Sequence, residues 1–156
     1  MSRLKLFHFS WCDAWFSPLK GYDTILESSA DGKLYLKYIV DMNPESIELT
    51  GREDELINCI EECGITKLNG NKYIEDCLDG FIWQIDIAYD DKVIRTRGDN
   101  AYPSEFWGFM DMMCKKWHMK KSELVGPLKA ECKKYHSDFT VEPMSDSEQT
   151  WASYTI

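Results

Sequence analysis

The 156-residue sequence predicts an α+β fold, in which an antiparallel sheet of about five strands packs with two or three helices. Alternating or β-branched apolar runs dominate the first 50 residues and recur at 81–97, which is typical of strands. Helical spacing of apolar residues appears at 52–64 and again from 104 onward. No strand–helix–strand alternation is visible. We therefore expect antiparallel pairing and a C-terminal half that is mostly helical.

Turn residues separate the predicted strands. A first strand is expected in "RLKLFHFSW", and "YDTILES" should pair with "KLYLKYIV" across a tight turn at Asp31-Gly32. A further short strand, "ESIELT", should follow a turn at Asn43-Pro44. The clearest hairpin is "FIWQIDIAYD", which alternates in polarity, turns at Asp90-Asp91 and returns as "KVIRTRG".

Three segments carry helical signals. "REDELINCIEECG" has an acidic first turn and ends at Gly64, which suits a C-cap. Pro103 can open the next helix, whose apolar stripe consists of Phe106, Met110, Met113 and Trp117. "SELVGPLKAECKKYH" is a third candidate, interrupted at Gly126-Pro127. Residues 1–140 are predicted to form one domain, followed by an acidic, polar tail at 141–156.

Composition and charge limit the function. Hydrophobic residues make up 44% and aromatic residues 13% of the chain, which is a globular composition. The net charge is −9, but residues 115–134 contain seven lysines and two glutamates, a local charge of +5 that leaves −14 elsewhere. A mainly acidic field argues against general nucleic-acid binding and suits a basic partner.

No apolar run approaches the roughly 20 residues of a membrane span, and no signal-peptide pattern occurs. A cytoplasmic location with six reduced cysteines is expected.

The stretch "GDNAYP" follows the hairpin and has a structural and a functional interpretation. Structurally, Gly98 can adopt a positive φ, the side chains after it can cap nearby amides, and Pro103 holds the preceding residue extended. Functionally, the stretch could be a recognition loop beside two arginines that share a strand face and suit a carboxylate or phosphate. The candidate residues are Arg95, Arg97, Asp99, Asn100 and Tyr102.

The segment "DGFIWQIDIAYDDKVIRTRGDNAYPSEFWGF", residues 79–109, resembles part of small uncharacterised bacterial proteins of Firmicutes type. In those proteins a strand of the form W-x-[IL]-x-[IVF]-x-[YF] precedes a turn, a second strand, G-[SD]-N-x-Y-P and an aromatic helix. This chain has Asp90-Asp91 where that pattern usually has a glycine. The resemblance covers about a fifth of the chain and implies a bacterial or phage origin, but no activity.

Two similar pentapeptides, "CKKWH" and "CKKYH", raise the question of a metal site. On a helix, residues i and i+4 share a face, so two such pairs could supply a Cys2His2 zinc site. The zinc candidates are Cys114, His118, Cys132 and His136. The simpler interpretation is two helix ends, with lysines and histidines near the terminal carbonyls, and it predicts no metal.

The sequence favours a non-enzymatic, acidic binding protein whose partner is another protein, in the manner of a bacterial or phage inhibitor or immunity protein. It contains no G-x-S-x-G, P-loop or G-x-G-x-x-G motif. The predicted contacts are acidic: Glu53, Asp54, Glu61, Glu62, Asp90 and Asp91.

One alternative is a zinc-stabilised module whose basic helices at 115–134 contact nucleic acid or an acidic protein. Another is a cysteine-dependent enzyme that pairs Cys12 with His8 or His118. The oligomeric state stays open.

Overall fold

A computed structural model describes residues 2–13, 21–75, 80–123, 125 and 139–150. Within these ranges the chain forms one eight-stranded sheet and several short helices. The strands are β1 (Leu4–Asp13), β2 (Gly21–Ser28), β3 (Leu34–Val40), β4 (Asn43–Glu48), β5 (Asn71–Ile74), β6 (Phe81–Tyr89), β7 (Lys92–Asp99) and β8 (Thr140–Pro143). The helices are α1 (Glu53–Glu62), a 3₁₀ turn (Ile65–Leu68), α2 (Ser104–Lys116) and α3 (Asp146–Thr150).

The strand order is β4-β3-β2-β1-β6-β7-β5-β8, and the sheet is mixed because β5 runs parallel to β7. The prediction of about five antiparallel strands with a mostly helical C-terminal half is therefore wrong. The missed strands β5 and β8 have four residues each, and β8 is exposed throughout. Such short strands are held mainly by backbone pairing to neighbours distant in sequence. They have little apolar alternation of their own, so the sequence pattern does not predict them.

Local turn signals predicted two hairpins correctly. The β2–β3 turn places Gly32 at a φ of 83°, and the β6–β7 turn places Asp90 at 51°. The turn before β4 is formed by Asp41 and Met42, both at positive φ, and the predicted turn residues Asn43-Pro44 lie inside the strand. The proline is tolerated there because β4 is an edge strand.

The core lies between one face of the sheet and the helices α1 and α2. In α2, Phe106 packs 4.9 Å from Trp83 and Phe109 packs 5.2 Å from Phe9, between ring centroids. All four side chains are fully buried, and each burial of this size stabilises the fold by roughly 1.5–3 kcal/mol. The four residues of the predicted α2 stripe are all buried, which confirms that stripe.

The "GDNAYP" stretch connects β7 to α2 through specific contacts. Gly98 does not adopt a positive φ, contrary to the prediction; a Cβ there would overlap the indole of Trp83. The Trp83 Nε1 donates to the carbonyl of Ala101 at 2.8 Å. Asn100, at a φ of 55°, accepts a hydrogen bond from the Phe81 amide through its side-chain oxygen at 2.7 Å. The stretch therefore fastens the β6–β7 hairpin to the start of α2.

The chain beyond residue 139 adds an edge strand and a short helix. Strand β8 pairs antiparallel with β5. Helix α3 begins with a capping box, in which the Ser145 hydroxyl accepts from the Glu148 amide and the Glu148 carboxylate accepts from the Ser145 amide. Lys72 on β5 donates to the same carboxylate at 3.0 Å. Within the predicted tail at 141–156, residues 141–143 thus belong to the sheet and Glu148 contacts it.

None of the helices in the described part of the chain is long and apolar enough to cross a membrane.

Candidate functional site

The sheet face opposite α1 and α2, here called the outer face, carries two adjacent rows of mostly polar side chains. Residues directly opposite one another on paired strands point to the same side, so the register alone builds these rows. The first row, from β4 to β7, is Ser46, Lys37, Ile25, His8, Asp86 and Arg95. The second, from β4 to β5, is Pro44, Ile39, Asp23, Ser10, Gln84, Arg97 and Lys72.

His8 lies at the centre of these rows between two carboxylates. Its Nε2 is 3.2 Å from Asp23 Oδ1, and its Nδ1 is 3.9 Å from Asp86 Oδ2. The hydrogen bond to Asp23 raises the pKa of the imidazole, although burial opposes this. Asp86 is buried and its pKa is raised by desolvation, while Gln84 Nε2 donates to it at 2.6 Å. The pair of carboxylates therefore favours the protonated imidazole.

The two arginines of β7 lie on the outer face, as their spacing predicts, but they differ in their contacts. Arg97 is 3.9 Å from Asp99 and 3.9 Å from Glu148, and Lys72 opposite it also pairs with Glu148. The Nε of Arg95 is buried and has no hydrogen-bond partner. Binding of a carboxylate or phosphate by these arginines stays a prediction.

The proposed recognition loop is not assembled as one surface. Asp99 lies on the outer face beside Arg97, but Asn100 holds the Phe81 amide and Tyr102 is buried against Trp11. The side chains of Asn100 and Tyr102 thus make hydrogen bonds that stabilise the fold.

An open groove of about 430 Å³ lies at the β2–β4 end of the outer face. This outer groove is lined chiefly by Asp23, Ile25, Lys37, Ile39, Pro44 and Ser46. Ile25 is 43% exposed and Ile39 is 45% exposed, although both occupy strand positions that point away from the core. Sequence reasoning missed this groove. The available signal was an isoleucine at an outward position in each of two neighbouring strands, but only the register places them together.

Most of the acidic residues predicted as contacts are neutralised within the molecule. Arg3 binds Asp54 at 2.6 Å and Asp90 at 2.7 Å, and its amide donates to Glu53 at 3.1 Å. Glu61 pairs with Lys92 at 3.4 Å, and Glu62 pairs with Lys116 at 3.7 Å. Asp91 is exposed at the hairpin turn. Since ion pairs this exposed are weak, the acidic residues stay predicted contacts.

The basic segment, residues 115–134, has two lysines in ion pairs with glutamates. The Cys-His pair at its start does not share a helical face. Lys116 pairs with Glu62, and Lys120 pairs with Glu45. Helix α2 ends at Lys116, so His118 lies beyond it, exposed and at a φ of 54°. The predicted i, i+4 helical geometry of Cys114 and His118 is therefore absent.

The second pair, Cys132 and His136, lies outside the described residues, so the four-ligand zinc site stays a prediction. In the ranges that the structure does describe, no group of three or more His, Cys, Asp or Glu side chains is placed to hold a metal ion.

The cysteine–histidine pair on β1 is too widely spaced for nucleophilic catalysis. His8 and Cys12 lie on one extended strand, where four residues span about 13 Å. Burial raises the pKa of the Cys63 and Cys114 thiols, so a smaller fraction of each is present as the reactive thiolate.

Comparison with known protein families, curated proteins and solved structures finds no match to this chain. The resemblance over residues 79–109 therefore stays a prediction.

Proposed function

We propose that this chain is a non-enzymatic binding protein that docks on another protein through the outer groove. The carrying observation is the pair of exposed isoleucines, Ile25 and Ile39, which lie on neighbouring strands of this face beside charged side chains. Exposed apolar side chains grouped within a polar rim are typical of protein interaction sites. Asp23 and Lys37 form part of that rim.

The charge of the protein supports a protein partner over nucleic acid. The net charge of −9 repels phosphates, and two lysines of the basic segment are paired with glutamates.

We further propose that the protein acts in the cytoplasm of a bacterium or in phage infection, as an inhibitor or immunity-type protein. The free thiols of Cys59, Cys63 and Cys114 suit a reducing compartment.

The test is affinity capture with two matched surface variants. Ile39→Glu places a charge in the outer groove, whereas Val141→Glu changes a 50% exposed valine on β8, at the opposite edge of the sheet. Each variant is first shown to have an unchanged melting temperature. We expect Ile39→Glu to lose a stoichiometric partner that wild type and Val141→Glu both retain.

A third variant, Glu61→Lys with Glu62→Lys, tests the acidic contacts predicted from the sequence. Retention of the partner is expected here, because both glutamates already face lysines. If this variant loses the partner and Ile39→Glu keeps it, the contact surface lies on α1 and the groove proposal is wrong.

A further inference from the structure

We propose that the outer groove receives a lysine or arginine side chain of the partner, and that His8 controls this contact through its protonation. The charged end would bind the Asp23 carboxylate while the aliphatic stem lies over Ile25 and Ile39. This inference rests on the proposed function and adds the chemistry of the contacting side chain and its regulation.

Asp23 is the carboxylate of the groove that an incoming cation can reach. Its side chain is 58% exposed, and its ionic contact is with His8 at 3.2 Å. The other nearby carboxylates are already engaged. Glu27 pairs with Lys37 at 3.0 Å, and Glu45 binds Lys120 and accepts from the Tyr38 hydroxyl at 2.7 Å.

The apolar part of the groove suits the stem of a long basic side chain. Ile39 lies directly opposite Asp23 on β3, and Ile25 follows two positions along β2, so both face the same side as the carboxylate. Lysine and arginine bury their methylene groups on such surfaces while their charged ends stay hydrated. The net charge of −9 also favours approach of a basic partner.

His8 competes with the cation for Asp23. The charged groups that face the imidazole are Asp23 on β2 and Asp86 on β6, with Arg95 beyond Asp86 on β7. When protonated, His8 donates to Asp23 and places a positive charge beside the groove. When neutral, it leaves the Asp23 charge available. Cation binding therefore strengthens as the pH rises through the pKa of His8, which the Asp23 contact raises.

The experiment is an NMR titration of the full chain with N-acetyl-arginine amide, followed at the amides of Asp23, Ile25 and Ile39. The neutral isostere N-acetyl-citrulline amide is the matched probe. We expect saturable shifts with arginine, tightening between about pH 5.5 and 8, and weaker shifts with citrulline. Asp23→Asn should weaken arginine binding roughly threefold, and Glu27→Gln should leave it unchanged. His8→Gln should remove most of the pH dependence.

Several outcomes overturn the inference. Equal binding of arginine and citrulline amides, or shifts confined to the Asp90-Asp91 turn, excludes the Asp23 contact. An unchanged pH slope in His8→Gln excludes control by His8. If arginine binding fails while partner capture still depends on Ile39, the proposed function stands and only the basic side chain is wrong. If arginine binds but Ile39→Glu leaves capture intact, the site exists and the proposed docking surface is wrong.

Discussion

The indole Nε1 of Trp11 donates a hydrogen bond to the hydroxyl of Tyr102 at 3.1 Å, joining residues 91 positions apart in the chain. Both side chains are buried, and their rings meet edge to face. The contact ties the centre of the sheet to the segment that starts α2. The sequence made Tyr102 a candidate recognition residue, and local patterns do not reveal that its hydroxyl accepts the hydrogen bond of the Trp11 indole.

Replacing Tyr102 with phenylalanine tests this contact. The substitution removes the acceptor and leaves the buried Trp11 Nε1 without a partner, so we expect a loss of about 1–2 kcal/mol in the free energy of unfolding. Urea denaturation followed by tryptophan fluorescence measures it. Tyr35→Phe, on the half-exposed part of β3, is the control and should be nearly neutral. Equal stability of Tyr102→Phe and wild type would mean that the hydrogen bond contributes nothing.

Gly98→Ala should destabilise the fold although its backbone conformation does not require glycine. The added methyl group would overlap the indole of Trp83, and overpacking of this kind costs about 1–3 kcal/mol. In a Trp83→Phe background the same change should cost less, because the smaller ring makes room. Thermal unfolding of the four proteins in this cycle gives the coupling. Independent, additive effects would refute the steric explanation.

The Glu148 carboxyl should titrate near pH 2 in the folded protein. Hydrogen bonds from the Ser145 amide and then from Lys72 lower its pKa to about 2 from the ordinary 4.5. A lowered pKa in the folded state means that the stabilisation is present above about pH 4.5 and is lost as the pH falls toward 2. Carboxyl carbon chemical shifts measure the midpoint, and Lys72→Met should raise it. A midpoint of 4.5 in wild type would show that the carboxylate does not contact the sheet in solution.

Cys63 and Cys114 should react slowly with alkylating reagents. Burial raises the pKa of both thiols, so we expect iodoacetamide at pH 8 to modify them at least about tenfold more slowly than in urea. Mass spectrometry of tryptic peptides follows each cysteine separately. A folded-state rate above the unfolded rate at either position would contradict the burial of that thiol.

Local signals account for the parts of the fold that were predicted correctly. The Asp31-Gly32 turn, the β6–β7 hairpin and α1 with its glycine end each depend on residues within about a dozen positions of one another. The same reasoning misjudged the C-terminal half. There, β8 pairs with β5 across nearly 70 residues, a distance at which periodicity carries no information.

By itself, the sequence determined the apolar stripe of α2, the turns of the β2–β3 and β6–β7 hairpins and the two longer helices, because these follow from short-range periodicity and backbone preferences. Only the tertiary structure decided which polar residues meet. His8 faces Asp86 because β1 pairs with β6, and Ile39 faces Asp23 because β2 pairs with β3 in one register. A shift of one residue would turn each of these side chains to the other face of the sheet, so burial of the aromatic core selects the register, and the register builds the outer face.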